Sequence, residues 1–310
     1  MSNFLITGGT GSIGSQIVRR LHADGQHDIR VYSRSEELQL NLMRELERPE
    51  NIQWIIGDVR DYDRLASVMA GCNAVVHAAA MKHVGFCENN PDEAVATNVR
   101  GTQNCLRAAV ANGVQRFTLV STDKAAYPAN TMGVTKLMAE RLVLAAKRAG
   151  YNAVRLGNVF GSRGSVVPYL RECALEGRSP RLSHLEVRRF FMTVDEAAEF
   201  ALTVTRGVLS DTHGIFAPRL GIIRLGDLWE AVKRQAAPMQ AEPTIIGLAP
   251  GEKMNETLLT AEEVTQCAGF PWGYQIYPER PAGYAHGGGV TTDQDTGLYT
   301  VDQIVSKFLV

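Results

Sequence analysis

The sequence predicts an α/β fold of the Rossmann type, a doubly wound parallel sheet followed by a smaller C-terminal α/β region. Three observations predict it. Short apolar runs alternate with helical patterns through about residue 160, as they do in sheets whose strands are joined by crossover helices. A glycine-rich turn joins the first apolar run to the first helical pattern. Charged residues follow directly where a later run ends, at the sheet edge where open α/β folds bind ligands.

Composition argues against several other classes of protein. The 310-residue chain has 32 basic and 33 acidic side chains, and this net charge of -1 does not suggest a nucleic-acid or membrane-surface partner. No apolar run approaches the ~20 residues of a membrane span, and the chain begins with an apolar strand instead of a signal peptide. Its five cysteines are scattered and its seven histidines show no paired spacing. We therefore expect a cytoplasmic protein with reduced thiols and no metal site.

The first element is a dinucleotide-binding pattern. An apolar strand at residues 3–7 runs into a glycine turn, and a helical pattern follows at once. In this order Gly8 makes the tight turn, Gly11 lets backbone amides approach a pyrophosphate, and Gly14 lets helix and strand pack closely. The helix N-terminus then favours the anion. The residues expected to bind a dinucleotide here are Gly8, Thr10, Gly11, Ser12, Ile13 and Gly14, and a plain hairpin is the alternative.

The end of the second strand, residues 29–32, indicates which dinucleotide binds. Folds that prefer NAD usually place an acidic residue near this point to hold the ribose 2′-hydroxyl. This chain has Ser33 and Arg34 there. Because a guanidinium suits a 2′-phosphate, we predict NADP, with a solvent-exposed arginine as the alternative.

The next two strands supply the rest of the predicted cofactor wall. Asp58 follows the strand at residues 53–56 and either binds the adenine amino group or caps the next helix. Three alanines follow the strand at residues 74–77, and small residues let a cofactor lie against the backbone. The further candidates for cofactor contact are Asp58, Val59, Ala78, Ala79, Ala80, Lys82 and Asn98.

Residues 121–136 carry the groups for chemistry. A hydroxyl, a carboxylate and an amine follow one another at Thr122, Asp123 and Lys124, where the apolar run at residues 117–120 ends. Lys136 lies four residues after Met132 in a helical pattern. A solvated turn is the alternative, but the second lysine at helical spacing argues against it.

Taken together, these motifs resemble the extended short-chain dehydrogenase/reductase superfamily. Within it, the run Ser-Thr-Asp-Lys-Ala-Ala-Tyr-Pro at 121–128, the segments 80–84 and 163–168, and Gly-Glu-Lys at 251–253 resemble the inverting UDP-N-acetylglucosamine 4,6-dehydratases. The resemblance covers about residues 3–265. It implies an NADP-dependent hydro-lyase that oxidises the sugar at C4, eliminates water across C5–C6 and returns the hydride to C6, giving a UDP-4-keto-6-deoxy-hexosamine inverted at C5.

The resemblance also assigns roles to the central stretch. Lys124 is the base at C5, Asp123 the acid at C6, Thr122 a hydrogen-bond partner of the sugar near C4, and Lys136 a ligand of the nicotinamide ribose. A lysine acts as a base only where burial or a neighbouring cation lowers its pKa.

Met132 departs from the superfamily, which normally has tyrosine at this place. A methionine also occurs there in the capsular and long membrane-bound dehydratases. Methionine cannot exchange a proton near neutral pH. We expect it to pack near sugar and nicotinamide, with the C4 proton leaving through Thr122 to Asp123 or through a water to Lys136. A degraded, inactive site is the alternative.

The resemblance implies a UDP-sugar partner, UDP-N-acetylglucosamine, and we expect a homo-oligomer. The candidates for substrate binding are Lys82, Asn158, Arg163, Ser165, Val166, Arg189 and Glu252. Surface salt bridges are the alternative for the two arginines. Two other functions stay open: a nucleotide-sugar 4-epimerase on the same fold, and a catalytically inactive NADP-binding regulator.

The domain prediction places an NADP-binding Rossmann domain at residues 1–160. Residues 161–310 form mainly a substrate-binding region that can exchange elements with the first domain. Within this second region we predict a helix at 167–176, a strand at 188–192, helices at 193–206, 222–235 and 300–309, and an irregular exposed segment at 271–289.

Overall fold

The computed structural model describes residues 2–209, 212–235, 241–279, 289–293 and 297–309. The strands are β1 (Ser2–Thr7), β2 (His27–Ser33), β3 (Ile52–Ile56), β4 (Ala74–His77), β5 (Arg116–Thr122), β6 (Tyr151–Leu156), β7 (Asn158–Val159), β8 (Arg181–Leu182), β9 (Arg188–Met192), β10 (Gly214–Pro218), β11 (Gly221–Arg224), β12 (Thr244–Ile245), β13 (Thr257–Leu259), β14 (Cys267–Phe270), β15 (Gly273–Ile276) and β16 (Val290–Thr291).

The helices are α1 (Ser12–Asp24), α2 (Glu36–Glu45), α3 (Tyr62–Met69), α4 (Val84–Asn89), α5 (Pro91–Ala94), α6 (Gly101–Ala111), α7 (Thr131–Ala145), α8 (Val166–Leu175), α9 (Val194–Thr205), α10 (Leu225–Gln235), α11 (Ala261–Val264) and α12 (Val301–Ile304). A 3₁₀ turn spans Asp123–Ala125, and π-helical turns span Val95–Arg100 and Val305–Leu309. None of the helices in these described ranges is long and apolar enough to cross a membrane.

A nine-stranded sheet organises the fold, in the order β14-β15-β10-β6-β5-β4-β1-β2-β3. The strands from β10 to β3 pair in parallel, and β15 and β14 add an antiparallel edge. The chain builds outward from β1 to β3 and then returns to place β4 on the other side of β1. This reversal leaves a crevice at the carboxyl ends of β1 and β4. The predicted Rossmann-type α/β fold is confirmed.

Helices cover both faces of the sheet. Ile17 and Leu21 of α1 and Ala201 of α9 are fully buried in the core of one face. Leu65 of α3 and Val143 of α7 are fully buried in the core of the other. Since both faces are covered, the central strands are apolar on both sides, which explains why they read as continuous apolar runs in the sequence.

The C-terminal half differs from the sequence expectation in two places. Residues 222–224 belong to β11 and not to a helix, because Ile222 pairs with Phe190 of β9 and both side chains are buried there; the helix begins only at Leu225. Residues 273–276 are not irregular but form β15, which pairs with β10 in the main sheet. Residues 280–288 of the predicted irregular segment lie outside the described residues.

Two of the predicted helices, at 193–206 and 300–309, begin with threonine caps. Thr193 and Thr300 each begin a helix with a capping box, accepting a hydrogen bond from the third helical amide. The division near residue 160 remains a proposal. In it, β10, β14 and β15 are the elements that the second region contributes to the first region's sheet.

Candidate active site

A cleft of about 240 Å³ opens where β1, β2 and β4 end. Ten predicted cofactor residues line it: Gly8, Thr10, Gly11, Ser33, Arg34, Asp58, Val59, Ala78, Ala79 and Ala80. Sequence reasoning missed Tyr32, Ser35, Leu38, Gly57 and Thr97, which also line the cleft. None of these five residues belongs to a predicted cofactor motif, so only the fold identifies them.

The glycine turn has the shape that a dinucleotide requires. Gly8 has φ +66°, and a Cβ there would lie 2.7 Å from the backbone nitrogen of Ala79. A Cβ on Gly14 would collide with the Gly8 carbonyl oxygen. Within the described residues no side chain caps α1, whose cap is Gly11, and its first turn holds no acidic residue. Ser12 and Ile13 open α1, so the free amides at this end fit a pyrophosphate.

Arg34 lies at the rim of the cleft. Its side chain is 64% exposed, and its Nη1 is 4.0 Å from Oδ2 of Asp58. Asp58 is held more closely by Arg60, at 2.7 Å. Asp61 caps α3, accepting from the Arg64 amide. The capping alternative for Asp58 is therefore wrong, and Arg34 is free to reach a phosphate at the rim.

Asn98 supports the cleft from behind. Its side chain is buried in the π-helical turn, where Oδ1 accepts from the Met81 amide at 2.8 Å and Nδ2 donates to the Met81 carbonyl oxygen at 3.0 Å. Nδ2 also donates to Oγ1 of Thr135 in α7. Asn98 thus fixes the segment after β4 against the helix that carries Lys136.

The loop before α8 lies over the glycine turn. The Arg163 guanidinium donates to the carbonyl oxygen of Thr10, its amide donates to Oγ of Ser12 at 3.2 Å, and Lys82 Nζ donates to the Arg163 carbonyl oxygen at 2.7 Å. The structure therefore places Arg163 and Lys82 beside the cofactor cleft, whereas Arg189 contacts Glu252 and Glu256.

Ser165 and Val166 begin the helix that follows this loop. Ser165 occupies the N-cap of α8, and its buried Oγ has no hydrogen-bond partner among the described residues. Val166 is the first residue of the helix. A free hydroxyl beside uncapped amides is suited to a phosphate oxygen of the substrate.

The central groups meet where β5 ends. Asp123 is fully buried, and its Oδ1 accepts from Oγ1 of Thr122 and from Nζ of Lys124, each at 3.0 Å. Lys124 Nζ also donates to Oδ1 of Asn158 in β7, at 3.0 Å. The second oxygen of Asp123, Oδ2, has no hydrogen-bond partner among the described residues. A hydroxyl, a carboxylate and an amine thus converge with one acceptor unused.

Glu256 is a site residue that sequence reasoning missed. Its side chain is 4% exposed, and its Oε1 lies 3.6 Å from Lys124 Nζ. Lys253 Nζ is 3.1 Å from Oε2, and Arg189 Nε is 3.9 Å from Oε1. The predicted Glu252 instead accepts from Arg189 Nη2 at 3.2 Å and from Ser183. The charged residues at 251–256 indicate a site, but only the fold decides whether Glu252 or Glu256 faces Lys124.

Lys124 and Lys136 have different charged neighbours, and their pKa values shift in opposite directions. Burial lowers the pKa of Lys124, but the carboxylates of Asp123 and Glu256 outweigh it, so the pKa lies above its ordinary value. The neighbours of Lys124 therefore do not supply the lowered pKa that a lysine base requires. Burial lowers the pKa of Lys136 to about 8 despite Glu140. Lys136 donates to the Val120 carbonyl oxygen at 2.7 Å, which holds it at the end of β5.

A buried ionic network fixes this end of β5. Ser121 Oγ donates to Oε1 of Glu140 at 2.5 Å. The fully buried Arg155 guanidinium pairs with Glu140 and with Glu263, each at 2.7 Å. Breaking a buried pair on one side typically costs ~3–5 kcal/mol, so the network holds the strand and α7 in one geometry.

Met132 packs in a small apolar cluster with Met81, Val84, Cys87 and Ala94, and is 4% exposed. Met132→Leu keeps the volume and removes only the sulfur. Volume-conserving apolar swaps usually cost under ~1.5 kcal/mol, so we expect turnover within about tenfold of the native rate. A loss of activity with unchanged melting temperature would assign the sulfur a chemical role.

Comparison with known proteins places the chain among nucleotide-sugar enzymes. The family described as "Polysaccharide biosynthesis protein" matches residues 4–278. The inverting UDP-N-acetylglucosamine 4,6-dehydratase of Campylobacter jejuni is 36% identical over 286 residues, 89% of this chain and 83% of that protein. The uncharacterized membrane protein MJ1061 of Methanocaldococcus jannaschii is 41% identical, over 88% of this chain and 85% of that protein. A UDP-glucose 4-epimerase of Rickettsia rickettsii is 35% identical, over 88% and 82%.

The X-ray structure of Pen from Bacillus thuringiensis has the same fold throughout. It superposes with a TM-score of 0.92 at 36% identity, covering 99% of this chain and 97% of that one. The similarity therefore includes the C-terminal region, beyond the part that the sequence motifs cover.

Proposed function

Since this chain belongs to the polysaccharide biosynthesis protein family, with the inverting UDP-N-acetylglucosamine 4,6-dehydratases of the extended short-chain dehydrogenase/reductase superfamily, we propose that it is an NADP-dependent dehydratase of UDP-N-acetylglucosamine that inverts C5. Membership confirms the expected family and the expected enzyme class, a nucleotide-sugar hydro-lyase. The substrate, the phosphate on the cofactor and the residue roles belong to the proposal.

One observation carries the proposal: the buried Oδ2 of Asp123 has no partner among the described residues, while Oδ1 of the same carboxylate accepts from a hydroxyl and an amine. A dehydratase needs a proton acceptor at C4, a base at C5 and a proton donor at C6. Thr122, Asp123 and Lys124 supply a relay, a carboxyl and an amine, with the hydroxyl and the amine each 3.0 Å from the carboxyl. An unused, desolvated oxygen in such a cluster is costly unless a ligand completes it.

The residues divide the proton transfers as follows. NADP, when bound, would take up the hydride from C4 and return it to C6. The C4 hydroxyl proton passes through Thr122 to Asp123. Lys124 then takes the proton from C5, which the adjacent ketone has made acidic, and a solvent-derived proton adds to the opposite face of C5 when the hydride reaches C6. Asp123 returns its proton to the C6 hydroxyl, which leaves as water, so one carboxyl serves both steps. Each transfer needs a positioned group of suitable pKa.

The remaining contacts position the two ligands. Lys136, held at the end of β5, would bind the nicotinamide ribose, and Met132 would pack beside the sugar. Arg163 at the glycine turn would bridge toward the cofactor pyrophosphate. Asn158, Ser165, Val166, Arg189 and Glu252 would hold the substrate, with Lys82 at the junction of both sites.

A 4-epimerase is the second candidate, supported by the similarity to the Rickettsia enzyme. Epimerisation needs proton and hydride exchange at C4 alone, so it would leave C5 untouched. Incubation with UDP-N-acetylglucosamine and NADP in deuterated water, followed by NMR, separates the two. We expect deuterium at C5 and a 6-deoxy-4-keto product. A C4 epimer without deuterium at C5 would establish the epimerase, and an unchanged sugar would contradict both proposals.

The cofactor proposal depends on Arg34. A charge-assisted contact to the 2′-phosphate contributes roughly 1.5–3 kcal/mol, or about one to two decades of affinity. Arg34→Ala should therefore weaken NADP binding by that amount and change NAD binding little. Titration of both cofactors checks this, with Arg44→Ala, an exposed arginine on α2, as the matched control. Equal losses for NAD and NADP would show that Arg34 does not contact the phosphate.

A further inference from the structure

Glu256 is the second carboxylate beside the Lys124 amine, after Asp123. The two carboxylates reach the same ammonium, Asp123 at 3.0 Å and Glu256 at 3.6 Å. They come from distant parts of the chain, since Asp123 immediately follows β5 and Glu256 immediately precedes β13. The backbone of Glu256 is fixed, because its amide donates to Oγ1 of Thr292 at 2.9 Å. Its almost fully buried carboxylate lies beside two cations, Lys253 Nζ at 3.1 Å and Lys124 Nζ at 3.6 Å, and a buried charge needs such partners.

We propose that Glu256 is a positioning residue of the reaction, the second carboxylate that anchors the Lys124 amine at the sugar. The inference rests on the proposed function, because it acts through the amine assigned to C5. Asp123 alone could not fix the amine, since one carboxylate leaves its direction open. With Asn158 at 3.0 Å, the three acceptors define where Nζ lies.

The charged groups around Lys124 set the sign of the expected effect. Asp123 and Glu256 raise the pKa of Lys124, while burial and the Arg189 guanidinium lower it. Lys253 lies against Glu256, and Glu252 lies against Arg189. Removing the Glu256 charge therefore lowers the pKa of Lys124, and the neutral amine forms at a lower pH. An opposite charge at this distance typically shifts a pKa by about one unit or more.

Acylation of Lys124 by acetic anhydride, followed by mass spectrometry, measures the neutral amine without any substrate. At one fixed pH, Glu256→Gln should label Lys124 about tenfold faster or more, since a shift of one unit changes the neutral fraction about tenfold. Glu256→Asp keeps the charge and should remain near the native rate. Glu262→Gln is the matched control, because Glu262 is an exposed carboxylate of α11 that contacts Tyr127 instead.

Thermal unfolding identifies any variant that has lost its fold. In that case Lys253→Gln gives a second test of opposite sign: it removes a cation 3.1 Å from Glu256, so labelling of Lys124 should slow. An unchanged rate in a folded Glu256→Gln protein overturns the proposal. So does a rate that changes equally in Glu262→Gln.

Turnover supplies the second measurement. With UDP-N-acetylglucosamine, the limb of the pH profile that rises as the base loses its proton should move to lower pH in Glu256→Gln and return in Glu256→Asp. Faster labelling with an unmoved limb would show that the amine is anchored but is not the base, which overturns the positioning role. If the native protein leaves the sugar unchanged, the proposed function fails, but the labelling result still decides whether Glu256 anchors the amine. Failure of the proposed function and failure of this inference are therefore distinguishable.

Discussion

Replacing Lys124 with alanine is expected to leave oxidation at C4 intact and to abolish the loss of water. The amine is the group of the central cluster assigned to C5, and general base catalysis contributes about 10²–10⁴-fold. The reaction should therefore stop after the first step, with the cofactor reduced and the sugar a 4-ketone. Stopped-flow absorbance of reduced nicotinamide and NMR of C5 in deuterated water measure the two halves separately.

The Lys124→Ala experiment needs a control, because the substitution leaves two buried carboxylates without their cation. Asp123 and Glu256 would lose their shared cation, and an unpaired buried charge destabilises a protein. Lys124→Gln keeps most of the side-chain volume and a donor, so it should fold and stall in the same way. Normal incorporation of deuterium at C5 in either folded variant would show that another group removes the proton.

The local part of the fold and site could be predicted from sequence because it is encoded in short patterns. Gly8, Gly11 and Gly14 lie in one short segment that leads from β1 into α1, and steric contact with Ala79 makes glycine necessary at the first of them. The order Thr122, Asp123, Lys124 needs only a strand that ends there. Such features depend on neighbours in the chain, and the structure places them where the patterns indicate.

The part of the fold and site that could not be predicted depends on contacts between segments distant in the sequence. Arg163 lies on the glycine turn because its loop folds back to Thr10 and Ser12, and no spacing in the sequence encodes that. Ile222 fits the sequence pattern of a helix, yet it lies in a strand because it pairs with β9. Glu256 and Glu252 lie in one charged loop and differ only in which partner the fold offers.

The charge of Lys124 also depends on these distant contacts, and it changes the mechanism. With a raised pKa, the amine is protonated in the resting protein and cannot accept the C5 proton. A proton arriving on Asp123 from C4 would remove the negative charge 3.0 Å from Nζ. The pKa of Lys124 then falls, and the amine can release its proton to solvent, which reaches 18% of its side chain. Oxidation at C4 would thus prepare the base for C5.

Asp123→Asn is therefore expected to abolish both halves of the reaction. Asparagine keeps the shape and the hydrogen bonds to Thr122 but cannot accept the C4 proton, so the cofactor should stay oxidised and turnover should fall at least about a hundredfold. Single-turnover absorbance measures this, with Asp63→Asn, an exposed carboxylate of α3, as the matched control. If reduced cofactor accumulates in Asp123→Asn, the acceptor at C4 is another group. Lys136 is then the first candidate, because its pKa of about 8 allows a neutral amine near physiological pH.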